Sequence, residues 1–389
     1  MRPMNKADSC GKTVSSLVLL AKRPGRTSFS SLFSVKHALG TKKVGHTGTL
    51  DSFAEGLLVV CTGALTRIAS RITAFDKEYE AIIAFGSETD TLDPYGAAVR
   101  TAPLPSKESF IDAFNAFKGE LMQKPPAFSA LHVDGQRASD LARKGVEVDV
   151  PERKINVFYS SVKEIQEKDG LVEYAHVVFH VSKGTYIRSL ARDIASACGS
   201  AAHLVGLRRT KVGSFRLEDA AGYELLEPFS IKSVVAVLSA RASQAEQSEQ
   251  TGQPAQNTKN AQGVKTTRVG LEQTEQTVQE EILQKLRYMT PELALECGFK
   301  PVFLKDDYKD HFMHGKQLSE KLFKSFPAEK SEEADKLAYE GQQHCIEYAV
   351  FTENAEECED SQKIKFVGMV ERKGRFLKYG FVINDSIKL

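Results

Sequence analysis

The sequence contains no tryptophan and no long uninterrupted apolar segment. No stretch approaches the roughly 18 apolar residues that a helix needs to cross a bilayer, and the apolar run at residues 17–21 is too short for the core of a signal peptide. The six cysteines lie far apart and include no CxxC pair, which predicts reduced thiols rather than a disulfide framework or a zinc site. We therefore expect a cytoplasmic protein with no membrane partner.

One pair of histidines has a spacing that metal sites use. His311 and His314 are three residues apart and follow Asp306 and Asp307. No further ligand pair accompanies them, so a polar surface cluster is the favoured interpretation. We expect no metal at this position.

Length and charge favour two domains of different character. The 389 residues exceed the size at which a single core stops growing, and the composition, with 41% hydrophobic and 26% charged residues, is typical of a globular protein. Residues 1–235 contain 31 Lys+Arg against 26 Asp+Glu, whereas residues 236–389 contain 21 against 25. The first part is therefore the better candidate for a nucleic-acid surface.

Hydrophobic patterns along the chain predict an α+β protein. Alternating or continuous apolar residues indicate strands, and apolar residues at helical spacing indicate helices. The clearest strands are predicted at 16–21, 77–85 and 172–182, and the clearest helices at 30–39, 106–118 and 187–198. Residues 241–281 are rich in Gln, Glu, Ser and Thr, which predicts a disordered polar linker. The linker divides a flexible N-terminus (1–14) and a first domain (15–240) from a small β-rich domain (282–389).

The segment GHTGTLD at residues 45–51 places one carboxylate, Asp51, in a tight polar loop before an apolar strand. Its two glycines allow close backbone approach, and its threonine hydroxyls can cap local amides. A loop held by a rigid element is a common place for a catalytic acid. An aspartate in such a turn is also common as an Asx-turn or cap residue, so these residues alone leave both interpretations open.

The Asp51 loop is the first of several unusual strings that follow one another in a fixed order. The others are Lys77-x-Tyr79, Gly86-x-x-Thr89-Asp90-Thr91-x-Asp93-x-x-Gly96, Pro125-Pro126-x-x-Ser129-Ala130, Gly184-Thr185-Tyr186-Ile187-Arg188 and His203-Leu204-Val205-x-Leu207-Arg208-Arg209. Together these strings resemble the TruB-type tRNA pseudouridine synthases over residues 15–225. The chain departs from the family pattern at two segments. In residues 22–28 the proline, Pro24, stands one place later than in the usual Lys-Pro-x-Gly-x-Thr-Ser motif, and His132 and Ser139 stand where a lysine and an aromatic residue are common.

The resemblance implies a pseudouridine synthase fold, with a mixed, mainly antiparallel sheet flanked by helices and a small β-rich C-terminal domain that resembles PUA modules. It also implies an isomerase that converts uridine at position 55, in the TΨC loop of tRNA, to pseudouridine without a cofactor or metal. The implied partner is the TΨC stem-loop of tRNA, bound by a monomer. Two alternatives remain, a non-catalytic RNA-binding or RNA-folding module of the same fold and the same chemistry on another RNA.

Positions that match the family motifs give the expected substrate contacts. Asp51 matches the catalytic aspartate, which attacks either C1′ of the sugar or C6 of the base, and Arg188 matches the arginine that pairs with this carboxylate. Tyr79 matches the tyrosine that stacks on the flipped uracil. His46 resembles the histidine beside the extruded nucleotide, and Leu207 would form a wall of the uracil pocket.

Three basic residues at the end of the last motif are predicted to contact RNA. Arg208, Arg209 and Lys211 are suitable partners for phosphates, because an RNA stem-loop is held largely through its shape and backbone. A nucleotide that must leave its stack loses a few kcal/mol of stacking energy, which such contacts would offset.

Overall fold

The computed structural model describes residues 14–129, 131–133, 135–146, 150–251, 268–327, 346–353, 364–374 and 376–383. The chain forms two compact units, one containing Val18–Leu286 and the other containing Arg287–Leu389 with Ser15–Leu17. In the part of the chain that is described, no helix has the length and apolar character that a membrane crossing requires. All but the last residue of the predicted flexible N-terminus, 1–14, lies outside the described residues.

The first unit contains thirteen strands and seven α-helices in its described residues. The strands are β1 (Leu17–Lys22), β2 (Val44–His46), β3 (Glu55–Thr62), β4 (Lys77–Phe85), β5 (Ser87–Thr89), β6 (Ala98–Thr101), β7 (Gly119–Gln123), β8 (His132–Val133), β9 (Gln136–Arg137), β10 (Arg153–Lys168), β11 (Leu171–Val181), β12 (Ala202–Val212) and β13 (Phe215–Arg216). The helices are α1 (Ser28–Leu39), α2 (Ala69–Thr73), α3 (Lys107–Ala116), α4 (Ala138–Arg143), α5 (Ile187–Ala197), α6 (Ile231–Thr251) and α7 (Arg268–Gln284).

Nine of these strands form one large sheet. Its main order is β1-β3-β12-β4-β11-β10-β7, with β2 paired to β3 and β13 paired to β12. Strands β12 and β3 run parallel, whereas β12 is antiparallel to β4 and β4 is antiparallel to β11. The mixed, mainly antiparallel sheet that the sequence predicted is thus confirmed.

Helices cover both faces of this sheet because its central strands are apolar on both sides. On β4, Tyr79, Ala81 and Ile83 belong to the core that includes residues of α3 and α5. The alternate residues Ile82 and Ala84 face a second core that includes residues of α6. Side chains of a strand alternate between faces, so one apolar strand can anchor both layers.

The predicted disordered linker at 241–281 is wrong over much of its length. Helix α6 continues to Thr251, and α7 begins at Arg268; residues 252–267 lie outside the described part. Helix α7 is ordered by its contacts with the rest of the first unit. Val278 and Ile282, four residues apart, are buried in a core shared with α1, and Glu281 accepts a hydrogen bond from the backbone nitrogen of Gly222 at 2.9 Å. A few apolar residues at helical spacing are enough to anchor a polar helix.

The second unit has a four-stranded sheet of its own. Its elements are α8 (Pro291–Glu296), β14 (Lys300–Phe303), α9 (Lys309–Met313), β15 (Ile346–Glu353), β16 (Ile364–Lys373) and β17 (Phe376–Val382). The strand order is β14-β15-β16-β17, and its core includes Phe312, Tyr348 and Val370. The small β-rich C-terminal domain is therefore confirmed, while its resemblance to PUA modules stays a prediction.

Candidate active site

A cavity of about 310 Å³ opens at the loop that carries Asp51. Its wall is formed by the loop between β2 and β3, the start of β4, the turn before α5 and residues of β12. The lining residues include Asp51, Tyr79, Arg188, Leu207 and Arg209. Segments that lie far apart in sequence thus meet at one concave site, which is the usual geometry of a ligand pocket.

Asp51 and Arg188 form an ion pair at this cavity. Arg188 Nε lies 2.8 Å from Asp51 Oδ2, and Arg188 Nη2 donates a hydrogen bond to Asp51 Oδ1 at 3.3 Å. The arginine side chain is only 4% exposed, whereas the carboxylate is 37% exposed. A buried guanidinium therefore holds one side of the carboxylate and leaves the other side open to a ligand.

Backbone carbonyls fix the orientation of Arg188. Its Nη1 donates to the Thr91 oxygen at 2.6 Å, and its Nη2 donates to the Phe128 oxygen at 3.0 Å. Arg188 lies in the first turn of α5, and Thr91 follows β5. Three separate segments thus set the position of this one cation, which limits the positions open to Asp51.

The Asp51 loop is itself tied to the surrounding structure at several points. Ser28 Oγ donates to the Leu50 oxygen at 3.0 Å and accepts from the Leu50 nitrogen at 2.8 Å. On the other side, Lys22 Nζ donates to the Ala54 oxygen at 2.5 Å. The residue before Asp51 and the residue three positions after it are therefore both held by side chains of neighbouring elements.

Lys22 is an unusual cation because it lies inside the protein. Its side chain is 1% exposed, and burial lowers its pKa to about 7, although Asp51 and Glu55 favour the charged form. Desolvation penalises the ammonium, and the carboxylates only partly offset that penalty. The charge of Lys22 thus changes near neutral pH, directly behind the loop.

Tyr79 and Leu207 form apolar surfaces of the cavity. Tyr79 on β4 is 9% exposed, Leu207 on β12 is 6% exposed, and both belong to the main core. Packing on the core side keeps the two side chains rigid, while their cavity sides can contact a planar ring. The structure therefore brings the expected base-contacting residues to the same site as Asp51.

The sequence and the fold of the chain both resemble those of known proteins. A sequence model of the N-terminal domain of the TruB family of pseudouridylate synthases matches residues 36–187. A tRNA pseudouridine synthase B of Treponema denticola is 50% identical over 229 residues, or 55% of this chain and 64% of that protein. A tRNA pseudouridine synthase B of Borreliella burgdorferi is 42% identical over 218 residues, or 56% of this chain and 76% of that protein. The chain belongs to the TruB family.

Solved structures support the fold of this TruB-family chain. A Cbf5-Nop10-Gar1 complex has a chain that matches with a TM-score of 0.53 and 21% identity, covering 94% of this chain and 84% of that chain. An archaeal box H/ACA Nop10-Cbf5 complex matches with a TM-score of 0.54 and 20% identity, over 94% and 85% of the two chains. At this identity the likeness concerns the fold alone, and it confirms the predicted pseudouridine synthase fold. The match to the Treponema denticola relative spans slightly less than two thirds of that protein.

His46 takes a different place from the other predicted substrate contacts of the TruB site. It ends β2, is half-buried and is not among the residues that line the cavity. Burial, and secondarily the charge of Arg209, lowers its pKa, which favours a neutral imidazole. A neutral ring at the rim of the loop can exchange hydrogen bonds with RNA, so its proposed contact with a nucleotide stays a prediction.

Two of the three predicted phosphate contacts are engaged inside the protein instead. Arg208 pairs with Glu55, donates to the Glu227 oxygen at 2.5 Å and stacks over Phe229 at 4.9 Å. Arg209 is 2% exposed. Both positions follow from β12 being a central strand, whose side chains meet neighbouring strands and helices rather than solvent. Both guanidinium groups thus have protein partners, and the RNA contact of Arg208 and Arg209 stays a prediction.

Arg209 instead holds the backbone of the Asp51 loop. Its Nε donates to the Leu57 oxygen at 2.8 Å, its Nη2 to the Gly48 oxygen at 3.1 Å and its Nη1 reaches the Thr49 oxygen at 3.5 Å. These carbonyls lie on both arms of the loop, before and after Asp51. Arg209 is thus placed to set the shape of the loop.

Lys211 is the more accessible member of this basic group. Its side chain is 34% exposed and pairs with Glu78 at 2.8 Å. A partly exposed lysine in a surface ion pair can exchange its carboxylate for a phosphate at little loss of energy. Its RNA contact stays a prediction.

Tyr186 and Lys77 line the cavity but were not among the predicted site residues. Burial raises the pKa of Tyr186, and Arg153 lies over its ring at 5.6 Å. Burial, with the nearby charge of Arg209, lowers the pKa of Lys77 to about 8. Both residues belong to the motif strings of the sequence, and this membership could have identified them as site residues.

The histidine pair in the second unit has local hydrogen-bond partners. His311 Nε2 lies 2.7 Å from the Gln317 oxygen, and His314 Nδ1 lies 2.7 Å from the Asp310 oxygen. No group of three or more potential metal ligands occurs among the described residues. The geometry is that of a polar surface cluster.

Proposed function

We propose that this chain isomerises uridine to pseudouridine at position 55, in the TΨC loop of tRNA. The observation that carries the proposal is the Asp51 carboxylate, held by buried Arg188 in a cavity whose walls include Tyr79 and Leu207. The names of the curated relatives support tRNA as the substrate and pseudouridine as the product. Their agreement with the site favours an active enzyme over a non-catalytic RNA-binding module.

Asp51 is proposed to act as the nucleophile. Its open carboxylate face attacks either C1′ of the ribose or C6 of the uracil, and both routes reach the same product. The bond between N1 and C1′ breaks, a bond between C5 and C1′ forms, the proton leaves C5, and N1 gains a proton. No cofactor is needed because the base keeps all its atoms and no electrons are exchanged with another compound.

The target uridine is proposed to leave its stack before it reaches Asp51. The carboxylate lies in a concave site between protein segments, and a base in a folded RNA loop cannot reach it without flipping. Tyr79 would then stack on the uracil and Leu207 would close the opposite side of the ring. These contacts offset the few kcal/mol of stacking that the RNA loses.

The proposed partner is the TΨC stem-loop of tRNA, bound by a monomer in the cytoplasm. The modest excess of basic residues in the first part of the chain supports an RNA ligand. Sedimentation of the protein with and without one equivalent of tRNA tests the monomer. A complex of one chain and one tRNA is expected, and a two-to-one complex would contradict it.

The function can be tested with unmodified tRNA transcripts labelled with tritium at C5 of uridine. The purified chain should release one equivalent of tritium from a transcript with uridine 55 and none from a matched transcript with cytidine 55. Primer-extension mapping of pseudouridine should place the product at position 55. Tritium release from both transcripts, or product at another position, would refute the proposed specificity, and no release from any transcript would refute the activity.

A further inference from the structure

Helix α1 carries two large aromatic side chains in solvent. Phe29 and Phe33 are 71% and 65% exposed. They are four residues apart and so share one helix face, whereas Leu32 and Val35 are buried in the core shared with α7. An exposed aromatic pair on one face of an otherwise anchored helix is typical of a surface that binds a partner.

Cationic and heteroaromatic side chains accompany both rings. Lys36 Nζ lies 4.8 Å from the centroid of the Phe29 ring, and the His37 ring stacks on Phe33 with a centroid distance of 6.0 Å and an interplanar angle of 28°. Rings next to cations are the usual chemistry of surfaces where bases stack and phosphates pair. We call Phe29, Phe33, Lys36 and His37 the α1 surface.

The chain segment that contains the α1 surface carries charged residues of one sign. Residues 9–50 contain no Asp or Glu but seven Lys or Arg, at positions 12, 22, 23, 26, 36, 42 and 43. Among the described residues, Lys36, Lys42 and Lys43 form no ion pair, and the last two are exposed in the turn after α1. Helix α7, which packs against α1, contributes acidic residues that have partners of their own. Glu275 pairs with Arg26 at 2.6 Å, Glu281 lies 3.5 Å from Lys285, and Glu280 accepts a hydrogen bond from Gln276 at 3.1 Å. The remaining cations favour a polyanionic partner over a second protein copy.

Helix α1 is hydrogen-bonded to the Asp51 loop. Ser28, the first residue of α1, exchanges two hydrogen bonds with the backbone of Leu50, the residue before Asp51. The next residue along the helix is Phe29. The helix that carries the exposed aromatic pair is thus anchored to the loop that presents Asp51.

We propose that the α1 surface is a second RNA-binding surface, which stacks unpaired bases or riboses on Phe29 and Phe33 and pairs phosphates with Lys36. The inference rests on the proposed function, because the ligand is the same substrate RNA. The surface binds RNA outside the flipped nucleotide and so contributes to affinity rather than to the chemical step.

A double variant, Phe29→Ala with Phe33→Ala, separates affinity from chemistry. With the full-length chain and unmodified tRNA transcript, the dissociation constant should rise by at least tenfold, because stacking of a base on an aromatic ring contributes substantially to RNA affinity. The rate of tritium release at saturating enzyme should stay within about twofold. The matched control is Phe158→Ala, an aromatic residue of β10 that is 54% exposed, and it should leave both values unchanged.

A charge variant tests the phosphate contact independently. Lys36→Gln should make the dependence of log affinity on log salt concentration less steep by about 0.7 to 0.9, as expected for one lost phosphate contact. Lys168→Gln, which removes an exposed lysine of β10, should leave the slope unchanged. Equal slopes for wild type and Lys36→Gln would refute the phosphate contact.

The outcomes distinguish this inference from the proposed function. If the wild type forms pseudouridine and the double Phe variant binds tRNA as tightly as the wild type, the α1 surface is not an RNA-binding surface. If the double variant instead converts a dimer to a monomer in sedimentation while its tRNA affinity is unchanged, the surface binds a second copy and the inference is wrong. If the wild type forms no pseudouridine, the proposed function fails whatever the α1 variants bind.

Discussion

Replacing Arg209 by methionine tests whether this buried arginine positions the Asp51 loop or contacts an RNA phosphate. The variant removes a side chain that is 2% exposed and donates to the Leu57 oxygen at 2.8 Å and to the Gly48 oxygen at 3.1 Å. Two hydrogen bonds from a charged donor make a net contribution of about 3–6 kcal/mol, with the exchange against water included. We therefore expect a loss of about 3–6 kcal/mol in the free energy of unfolding.

Loss of the hydrogen bonds from Arg209 should lower the rate of turnover more than the affinity for RNA. The Gly48 carbonyl lies on the loop that presents Asp51, and a misplacement of a reacting group by about 1 Å can lower a rate roughly 100-fold. Single-turnover tritium release should therefore fall about 100-fold in Arg209→Met. Arg209→Lys should also be slow, because an ammonium keeps the charge but cannot reach both arms of the loop as the planar guanidinium does.

Binding measurements would show whether this reasoning is wrong. The affinity for tRNA and its dependence on salt should match those of the wild type in both Arg209 variants. Arg216→Met, which removes an exposed arginine of β13, is the matched control and should turn over at the native rate. Native turnover in Arg209→Met together with weaker, less salt-dependent binding would refute the loop-positioning role and restore the phosphate contact. Urea titrations would verify that each variant is folded under the assay conditions.

Three further predictions concern the same loop. Gly56→Ala should lower the free energy of unfolding by more than about 3 kcal/mol, because Gly56 has a φ of +109° and a Cβ there would lie 2.6 Å from the Arg209 nitrogen. Gly45→Ala is the control, since a Cβ at Gly45 meets open space, and it should have little effect on the urea unfolding midpoint. The pKa of Lys22 is about 7 in the folded chain, against 10.5 for an unperturbed lysine, so unfolding takes up a proton between these two pH values. The free energy of unfolding, relative to that of Lys22→Met, should therefore rise by about 2 kcal/mol from pH 7 to pH 9, and a constant difference in urea midpoints would contradict this. Ser28→Ala should lower the single-turnover rate and leave the tRNA affinity unchanged, because both hydrogen bonds to the Leu50 backbone are lost. Equal rates for the variant and the wild type would show that these two hydrogen bonds do not position Asp51.

Local patterns in the sequence were sufficient to predict the strands and helices with a clear hydrophobic periodicity. Strand β4, predicted at residues 77–85, spans Lys77–Phe85, and the helix predicted at 187–198 spans Ile187–Ala197. Both have a continuous apolar or regularly spaced pattern that burial on one or two faces produces. Such elements carry Tyr79 and Arg188, so two site residues were placed on the correct local structure.

Strand β10 was not predicted because its pattern is interrupted. It spans Arg153–Lys168, but its register with β11 shifts between Val157 and Tyr159, between Val162 and Glu164 and between Gln166 and Glu167. Each shift moves the following side chains to the other face, so the alternation that marks a strand is lost. Many of its side chains are also exposed and charged.

The role of Arg209 could not be read from local sequence. The motif shows two adjacent arginines, and their basic character alone suggests phosphate contacts. Their actual partners depend on the pairing of β12 with β3, in which Arg208 lies opposite Glu55 and Arg209 opposite Gly56. This contact joins positions more than 150 residues apart, and it decides that both guanidinium groups turn inward.

Amino-acid composition alone was also insufficient to predict helix α7. Its Gln- and Glu-rich sequence satisfies the compositional signature of disorder, yet Glu275 contacts Arg26 and Ser34 of the first unit. These polar contacts stabilise the helix together with its two buried apolar residues, Val278 and Ile282. Composition counts side chains but does not reveal whether such partners exist in the fold.

The central claim is that Asp51 performs the chemistry, and single-turnover tritium release by Asp51→Asn tests it most directly. The variant keeps the size of the side chain and removes the nucleophilic carboxylate, so the rate on a saturating tRNA transcript should fall by at least about 10³-fold. Its dissociation constant for tRNA should stay within about threefold, and Asp112→Asn, on the exposed side of α3, should retain the native rate. A rate for Asp51→Asn within tenfold of the wild type would contradict the account.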